Sequence, residues 1–557
     1  MPTRTEIIVA MTDQDGEFPL SKVEIGGIPM RVYKNAPPSM REFLLMSRAF
    51  GHKPFLIYEN EVLSFAEHFR QASALAAHLK SIGVNKGDRV AIALRNYPEW
   101  VTSFWAIQAI GAIAVALNAW WIGEELQFGI EDSGTKVLIT DGERIERLKD
   151  IYPRLGLEET IVVRDRVPDG KFHAYTDIVG RDAPLPDVQV SPEDYSTILY
   201  TSGTTGRSKG AVATHRNHIT NIMNTLLGAA ASRKLAGDVA PPPDFQPGAL
   251  QTFPFFHIGG LTGLYVASVT GTKLALMYRW DPAAAVQLVV QHSLNSVAGV
   301  PYVVRQLLES ARGADQALPS LIGIASGGAP VPPDLIRTVG EQFKARVAPG
   351  NGYGLTETTS AVISNTGAEY LAKPDSVGRP VPTADVRVVG EDGRDCAEGE
   401  VGEIWFRGPN VIPGYWRNEK ATEEAFGGGW FRSGDLGYRD SEGRYYIVDR
   451  KKDVIIRGGE NVYCVEVESL LLEYPRVKDA AVIGLPHPEF GEIVSAVVQV
   501  TAGNRNDELE AELRAHLERH LAKFKQPARY AFTEDDLPRT ATGKLLKREM
   551  RTRYFGV

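Results

Sequence analysis

Short apolar segments, each followed by a turn and an amphipathic helical segment, recur along this 557-residue chain and limit the folds open to it. The segments 89–94, 136–140 and 196–200 are nearly continuous apolar runs. Such runs are typical of parallel strands that are covered by helices on both faces. The alternation of strand and helix patterns therefore predicts an α/β protein, and the length allows more than one domain.

Composition narrows the function classes and the compartment. Hydrophobic residues make up 43% of the chain, enough for a large core, and the net charge of −8 disfavours nucleic-acid binding, which needs a basic surface. The two cysteines, Cys396 and Cys464, are too few for a disulfide framework. The N-terminus meets acidic residues before a signal-peptide core could develop. The longest apolar stretch, residues 105–121, is interrupted by Gln108 and is typical of a buried helix followed by a strand. We therefore predict a cytoplasmic monomer or homodimer without integral membrane association.

The C-terminal part differs from the rest of the chain. Two apolar segments, 480–484 and 495–500, alternate with an acidic helical segment over 507–521, which predicts a compact α+β domain. Residues 514–553 carry eleven Lys and Arg against five Asp and Glu. This basic segment is either a solvated charged face or a lid that meets an anionic ligand.

The densest chemical signal is the segment 200–210, which overlaps the end of the strand pattern at 196–200. Its glycines let backbone N–H groups approach phosphate oxygens, and its hydroxyls donate further hydrogen bonds. It is not a Walker A loop, because Lys209 is followed by glycine. The segment predicts either a polyphosphate cradle or a flexible surface loop. The residues that a cradle would use are Thr201, Ser202, Gly203, Thr204, Thr205, Gly206 and Lys209.

Further chemically suggestive segments follow in the order 253–260, 326–330, 351–358, 430–437, 449–453, 456–462 and 538–544. Taken alone, each has an ordinary structural explanation, such as a packed histidine, a turn, a helix cap or a solvated charged loop. Together and in this order they resemble the adenylate-forming (ANL) superfamily, in its acyl-CoA synthetase and fatty acid–CoA ligase branch. The resemblance extends from Ser64 to the C-terminus. One departure is Ser208, where the family usually has proline.

The resemblance implies a domain organisation and a set of cosubstrates. A large N-terminal domain of packed α/β subdomains, residues 1–451, would hold the AMP, acyl and ATP sites. A small mobile α+β domain, residues 452–557, would carry a catalytic lysine and pivot about a hinge at Lys452. ATP, Mg²⁺ and coenzyme A are the implied ligands, together with a small-molecule carboxylic acid.

The resemblance also implies the residues around the nucleotide. Small residues would form a floor under adenine, and a carboxylate would accept hydrogen bonds from both ribose hydroxyls. The implied adenine neighbours are Gly327, Gly328, Ala329, Tyr353 and Gly354, and the implied ribose contacts are Asp435 and Arg450.

For the reacting groups, the resemblance implies that Lys544 bridges the substrate carboxylate and the α-phosphate. His257 would lie beside that carboxylate and the thioester tunnel, and Thr356 would contact the α-phosphate side. Glu357 and Thr201 would help to hold Mg²⁺, a hard cation that takes oxygen ligands. Gly458 and Gly459 would line the tunnel for the pantetheine arm of coenzyme A, because absent side chains leave it room.

The predicted activity is that of an AMP-forming carboxylic acid–CoA ligase. A hydrophobic fatty or aryl acid would react with ATP to give acyl-AMP and pyrophosphate, and coenzyme A would then displace AMP. The alternatives are a ligase that loads a separate carrier protein, a luciferase-like oxygenase and a catalytically silent nucleotide-binding relative. The acid pocket is expected between the helix after Asn217 and the strands near His257 and Gly327, while Trp120 and Trp121 are expected in the core rather than in a tunnel.

Overall fold

The computed structural model describes residues 2–201, 208–238, 242, 244–344, 346–501, 503, 508–540 and 543–557. Its α-helices are α1 (Arg4–Thr12), α2 (Met40–Ser47), α3 (Phe65–Ser81), α4 (Pro98–Ala109), α5 (Gly123–Ser133), α6 (Gly142–Leu148), α7 (Tyr175–Val179), α8 (His215–Leu235), α9 (Ile258–Thr270), α10 (Pro282–Gln291), α11 (Pro301–Gly313), α12 (Pro333–Gln342), α13 (Gly367–Ala372), α14 (Glu419–Ala425), α15 (Cys464–Leu472), α16 (Leu509–Glu518) and α17 (Lys547–Phe555).

Its strands are β1 (Leu20–Ile25), β2 (Ile28–Tyr33), β3 (Pro54–Tyr58), β4 (Glu61–Ser64), β5 (Arg89–Ala93), β6 (Ile113–Ala116), β7 (Val137–Asp141), β8 (Glu159–Val163), β9 (Phe172–Ala174), β10 (Tyr195–Thr201), β11 (Lys209–Thr214), β12 (Gly248–Gln251), β13 (Lys273–Leu276), β14 (Ser296–Gly299), β15 (Gly323–Gly327), β16 (Ala348–Leu355), β17 (Ser360–Thr366), β18 (Arg379–Pro380), β19 (Asp385–Val389), β20 (Gly402–Arg407), β21 (Gly414–Tyr415), β22 (Phe426–Gly427), β23 (Trp430–Arg439), β24 (Tyr445–Arg450), β25 (Ile455–Arg457), β26 (Glu460–Val462), β27 (Val477–His487), β28 (Gly491–Val500) and β29 (Arg529–Thr533).

Two large mixed sheets organise the N-terminal part. The first has the order β21-β11-β10-β6-β5-β7-β8-β9, and the second has the order β18-β17-β16-β15-β14-β12-β13-β3-β4. In the first sheet the strands from β10 to β9 run parallel, and in the second those from β16 to β3 run parallel. In the first sheet, β5, β7 and β10 are the buried apolar runs that the sequence predicts, and the α/β class is confirmed.

The main core lies around α4. Every residue from Trp100 to Ala109 is buried, so this helix is enclosed on all sides. It contributes to the same core cluster as α3, α9 and strands of both large sheets. Pro98 at its first turn and the strand β6 after it account for the apolar stretch 105–121, as the sequence predicts. In the described part of the chain, the search for a helix with the length and apolarity to cross a membrane finds none.

A smaller antiparallel sheet follows with the order β19-β20-β23-β22, and β24 pairs with β23. The chain leaves this sheet after Arg450 and enters a separate sheet at Ile455, in which β26, β25, β28 and β27 are neighbours and β29 pairs with β28. Helices α15 and α16 cover this last sheet with their own core cluster. The predicted α+β character of the C-terminal part is therefore present in the fold.

Candidate active site

The residues predicted to contact the ribose lie where β16 meets β23 and β24. Asp435 and Arg450 are register partners on β23 and β24, so their side chains come from directly opposite positions. Asp435 is buried, and its Oδ2 accepts a 2.7 Å hydrogen bond from the hydroxyl of Tyr353 on β16. Burial, followed by the Asp435 carboxylate, raises the pKa of Tyr353 well above its ordinary value, so this phenol stays protonated and donates.

The second oxygen of Asp435 is available to a ligand. Arg450 Nε lies 3.1 Å from Asp435 Oδ1, yet among the described residues this oxygen receives no aligned hydrogen bond. A buried acceptor without a donor is costly unless something outside the protein supplies one. A ribose hydroxyl is a group of the required kind, because it can donate to a carboxylate oxygen.

The turn after β16 is held in a strained shape by buried hydrogen bonds. Thr356–Thr358 forms a short 3-10 turn, and Thr359 follows it with φ of 47°, a value that L-residues rarely adopt. The Thr359 hydroxyl donates to the carbonyl oxygens of Asn217 and Asn410, and Asn410 Nδ2 donates to the carbonyl of Thr358. Strain of this kind persists only where surrounding contacts fix the backbone, and it is frequent at functional sites.

Glu357 on this turn is buried and has one oxygen engaged. Its Oε1 accepts a 2.7 Å hydrogen bond from the hydroxyl of Tyr415 on β21. Lys209 Nζ lies 5.1 Å from the centroid of the Tyr415 ring, and Lys209 is the register partner of Thr201 on β10. The predicted phosphate-side residues Thr201, Lys209 and Glu357 therefore occupy one neighbourhood. The other cradle residues, Ser202, Gly203, Thr204, Thr205 and Gly206, lie outside the described residues.

The side chains that could bind a metal here suit Mg²⁺ better than a metal whose ligands all come from the protein. Within the described ranges, no group of three or more His, Cys, Asp or Glu side chains could hold a metal ion. Glu357 nevertheless offers a carboxylate beside Lys209. Mg²⁺ is commonly held by one or two carboxylates and otherwise by phosphates and water.

The C-terminal part reaches this site through a hairpin that begins at Arg539. An isolated bridge joins Arg539 to Leu545. The backbone N–H of Thr540 donates to the carbonyl oxygen of Lys544, and the backbone N–H of Lys544 donates to the side-chain hydroxyl oxygen of Thr540. Burial, followed by the charge of Arg450, lowers the pKa of Lys544 to about 8, while the charges of Asp435 and Glu357 oppose the shift. Lys544 therefore lies within electrostatic reach of both the ribose-side and the phosphate-side groups.

His257 is the N-cap of α9 and is neutral near pH 7. Burial, followed by the positive charge of Lys544, lowers its pKa to about 3. Its Nδ1 accepts a 3.1 Å hydrogen bond from the backbone N–H of Gly259, and its ring stacks on Phe253 with centroids 6.0 Å apart. A neutral imidazole in this place can contact a carboxyl group but cannot act as a charged acid.

The small residues of 326–330 end β15 beside β16. A Cβ on Gly327 would lie 2.9 Å from the carbonyl oxygen of Gly352, so glycine is needed for this close strand contact. Gly328 has φ of 77°, and Ala329 follows it at an intermediate level of burial. A Cβ on Gly354 would lie 1.9 Å from the carbonyl oxygen of Ser360. These absent side chains keep the backbone beside Tyr353 compact.

Family models cover most of the chain. The AMP-binding enzyme model matches residues 46–416, and the AMP-binding enzyme C-terminal domain model matches residues 466–544. The chain belongs to the AMP-binding enzyme family. This places it in the adenylate-forming superfamily, as the sequence predicts.

This chain is similar over nearly its whole length to curated proteins of about the same length. It is 37% identical over 509 residues to the feruloyl-CoA synthase of an Amycolatopsis species, covering 91% of this chain and 97% of that protein. It is 34% identical to the 2-succinylbenzoate–CoA ligase of Bacillus velezensis, covering 89% of this chain and 94% of that protein. Both relatives are CoA ligases.

A solved relative shares the fold. The o-succinylbenzoate CoA synthetase of Bacillus subtilis, solved with its acyl-adenylate intermediate, superposes with a TM-score of 0.77 at 30% identity, covering 93% of this chain and 98% of that chain. The same synthetase has been solved with ATP and magnesium ion, with a TM-score of 0.76. The ATP and magnesium ion of that solved synthetase, and the coenzyme A in the names of the two CoA ligases, are the same ligands that the sequence resemblance implies.

The predicted hinge residue Lys452 lies within electrostatic reach of Lys544, and the predicted tunnel glycines belong to the last sheet. Lys452 follows β24 at the passage between the two C-terminal sheets. Gly458 and Gly459 form the β25–β26 turn with φ of 61° and 88°, and the nearest atom to an added Cβ on Gly458 is a ring carbon of Phe490 at 3.7 Å. The structure does not bring these glycines together with Lys544, and their predicted role stays a prediction.

A cavity of about 560 Å³ lies beside the hairpin of Lys544. Phe253, Trp120, Arg95, Tyr302, Arg539 and Gly543 are among the residues that line it. Trp120 is 45% exposed, and Arg95 Cζ lies 3.2 Å from the centroid of its indole, so the prediction of core packing is wrong for Trp120. The reason is that Arg95 offers this ring a cation–π partner at the cavity wall. Trp121 is buried, as predicted.

Sequence reasoning missed Tyr415 and Tyr302. Tyr415 is 58 positions from Glu357, and nothing in its local sequence marks it as a carboxylate partner. Tyr302 is 234 positions from its partner Asp536. Only the pairing of β11 with β21 and the packing of the two domains bring these tyrosines to the site.

Proposed function

We propose that this AMP-binding enzyme is an acyl-CoA synthetase, an AMP-forming acid–thiol ligase. It activates a hydrophobic aryl or fatty acid with ATP, giving acyl-AMP and pyrophosphate, and transfers the acyl group to coenzyme A with release of AMP. The observation that carries the proposal is the convergence of Lys544 with Asp435, Arg450 and Glu357 at the end of β16.

The ribose end is held by carboxylate and guanidinium chemistry. One carboxylate oxygen of Asp435 accepts a hydrogen bond from Tyr353, and the other accepts hydrogen bonds from the ribose hydroxyls. Arg450 lies beside this second oxygen. Gly327, Gly328, Ala329, Tyr353 and Gly354 form the wall on which adenine rests.

The phosphate end is held by Lys209, Thr201 and the glycine-rich segment 202–206. Glu357, oriented by Tyr415, supplies the carboxylate for Mg²⁺ with Thr201 beside it. When bound, Mg²⁺ screens the phosphate charges from the incoming carboxylate.

The reacting carboxylate and the α-phosphate repel each other, and Lys544 reduces this repulsion. At 4 Å and an effective dielectric constant of 20, one charge pair is worth roughly 4 kcal/mol before desolvation. Neutral His257 and Thr356 flank the same region and orient the carboxylate and the α-phosphate without adding charge.

For the thioester step we propose that residues 452–557 rotate about Lys452 relative to residues 1–451. The rotation withdraws Lys544 and brings Gly458 and Gly459 to the path of the coenzyme A thiol. A separate carrier protein is the alternative acceptor.

The acid class is supported by the similar proteins, whose names specify feruloyl and 2-succinylbenzoyl groups, both aryl acids. We place the acid between α8, which contains Asn217, and the strands near His257 and Gly327, in the part of the chain that contributes many buried apolar residues. We further propose a cytoplasmic enzyme, monomeric or homodimeric, because it needs ATP and coenzyme A and has only two cysteines.

AMP release across a panel of aryl and fatty acids, each with and without coenzyme A, tests the proposal. We expect AMP release to require both one acid and coenzyme A, with formation of the matching thioester. Adenylate that accumulates and does not respond to coenzyme A would instead favour the carrier-protein acceptor.

A further inference from the structure

Tyr302 of the N-terminal domain contacts the segment that contains the Lys544 hairpin. Tyr302 lies at the start of α11, and its hydroxyl lies 2.9 Å from Oδ2 of Asp536. Asp536 is two residues before Pro538, whose carbonyl oxygen accepts a backbone hydrogen bond from Leu546. The opposite oxygen of Asp536 accepts a 2.9 Å hydrogen bond from Nε2 of Gln499 on β28. Asp536 therefore joins α11 of one domain to the central sheet of the other.

The direction of the hydrogen bonds is fixed by the partners of Tyr302. The indole N–H of Trp280 donates to Oε1 of Gln306 at 2.7 Å, which leaves the amide N–H of Gln306 to donate to the Tyr302 oxygen at 2.7 Å. Since the Tyr302 oxygen accepts the hydrogen bond from Gln306, the hydroxyl proton of Tyr302 is available to donate to Asp536. Burial and the Asp536 carboxylate raise the pKa of Tyr302 to about 12, so the proton is present at neutral pH.

The ring of Tyr302 makes a second contact with the hairpin. Arg539 Cζ lies 4.8 Å from the ring centroid, within the range of a cation–π interaction. Arg539 is itself held by an ion pair with buried Asp479 on β27 and by a hydrogen bond of 2.5 Å from its Nη1 to the carbonyl oxygen of Gly543. The same guanidinium thus connects Tyr302, the C-terminal sheet and the residue that precedes Lys544.

The hairpin also fits closely against α11. Gly543 has φ of 83°, and a Cβ built on it would lie 2.7 Å from Cγ2 of Val300. Val300 is the N-cap of α11, and Tyr302 is two residues further on. The backbone before Lys544 therefore lies directly against the segment that holds Tyr302.

We propose that Tyr302 is a positioning residue for the adenylation step, which fixes the Lys544 hairpin in the adenylation pose through Asp536 and Arg539. The proposal rests on the proposed function, because it assigns Tyr302 to one of the two half-reactions. Tyr302 touches none of the reacting groups and acts only through the hairpin. Loss of its contacts therefore affects the step that needs Lys544 docked and spares the thioester step.

Tyr302→Phe removes the hydroxyl and keeps the ring over which Arg539 lies. We expect adenylate formation, measured in a single turnover without coenzyme A, to slow by about fivefold to tenfold, the effect of losing one partly exposed hydrogen bond to a carboxylate. Thioester formation from supplied acyl-adenylate and coenzyme A should remain unchanged. Equal loss in both half-reactions, or no loss in the first, would overturn the proposal.

Two further variants separate positioning from general damage. Asp536→Ala should slow adenylation at least as much as Tyr302→Phe, because it also removes the contacts of Asp536 with Gln499 and Lys478. The double variant should be no slower than Asp536→Ala alone, because the Tyr302–Asp536 contact is already lost in that variant. Asp536→Asn retains an acceptor oxygen and should restore most of the rate.

The matched control is Tyr474→Phe, which removes a 2.7 Å tyrosine–carboxylate hydrogen bond to Glu512 within the C-terminal domain and should leave both half-reactions within about twofold of their rates in the parent enzyme. Additive losses in the double variant would refute the coupling.

Domain position can also be measured without turnover. Cys396→Ser removes a cysteine that could also be labelled. In this background, spin labels attached at the exposed positions Gln316→Cys and Glu518→Cys report the distance between the domains. With ATP present, we expect the population at the distance of this structure to fall in Tyr302→Phe and to be unchanged in Tyr474→Phe; unchanged populations in both would refute the proposal. If no acid yields adenylate, the proposed function fails, while these populations still decide the role of Tyr302.

Discussion

Adenylate formation is expected to lose rate as Lys544 loses its proton. Burial and the charge of Arg450 lower the pKa of this lysine to about 8, against the opposing charges of Asp435 and Glu357. Only the ammonium form can neutralise the carboxylate and the α-phosphate. Activity is therefore present below this pKa and is lost as the pH rises through it.

The size of the loss follows from the titration. With a pKa of about 8, roughly nine-tenths of Lys544 is protonated at pH 7 and roughly one-tenth at pH 9, so kcat/KM for adenylation should fall about tenfold over this range. The kcat/KM profile reports the free enzyme. Bound phosphates and carboxylate favour the ammonium form, so the alkaline decline of kcat should lie at higher pH.

The assay is pyrophosphate release between pH 6 and pH 10 in the absence of coenzyme A. Lys544→Arg is the control, because a guanidinium stays charged throughout this range but has a different shape. We expect the variant to be slower at every pH and to lack the alkaline decline. The assignment is refuted if the unmodified enzyme shows no decline up to pH 10, or if the decline persists in Lys544→Arg.

Three further substitutions test the remaining groups. Lys544→Ala should slow adenylation by about two to three orders of magnitude and spare thioester formation from supplied acyl-AMP; equal loss in both steps would contradict the assignment. Asp435→Asn should raise KM for ATP by about tenfold or more, since an amide has one acceptor oxygen, and an unchanged KM would place the ribose contact elsewhere. Glu357→Gln should raise the Mg²⁺ concentration needed for half-maximal adenylation, whereas Tyr415→Phe should do so more weakly; an identical Mg²⁺ dependence in both variants and the parent would exclude Glu357 as a ligand.

Local sequence patterns predict the fold class and, through the family resemblance, much of the candidate site. The apolar run 196–200 becomes β10 because a parallel strand covered on both faces needs no polar alternation. Asp435 and Arg450 belong to separate segments and are predicted as site residues from the resemblance of those segments to the family. Their pairing across β23 and β24 depends on register, which neither segment contains.

Contacts between distant segments could not be read in the same way. An aromatic residue next to an apolar run is typical of a core, yet Trp120 lies at the cavity wall because the guanidinium of buried Arg95 faces it there. The partnership of Tyr302 with Asp536 depends on how the two domains pack. A single sequence contains no signal of that packing.

The same electrostatics that place Lys544 also bear on when it docks. A fall in pKa from 10.5 to about 8 means that the ammonium form disfavours the docked pose by up to about 3 kcal/mol, an upper value because part of the side chain remains exposed. Contacts such as that of Tyr302 with Asp536 oppose this cost without substrate. We expect ATP and the acid to add negative charge beside Lys544 and to remove most of this cost, so that docking is completed when both are bound. We expect the departure of pyrophosphate to withdraw part of that charge and to favour release of Lys544, which would give the two half-reactions their order.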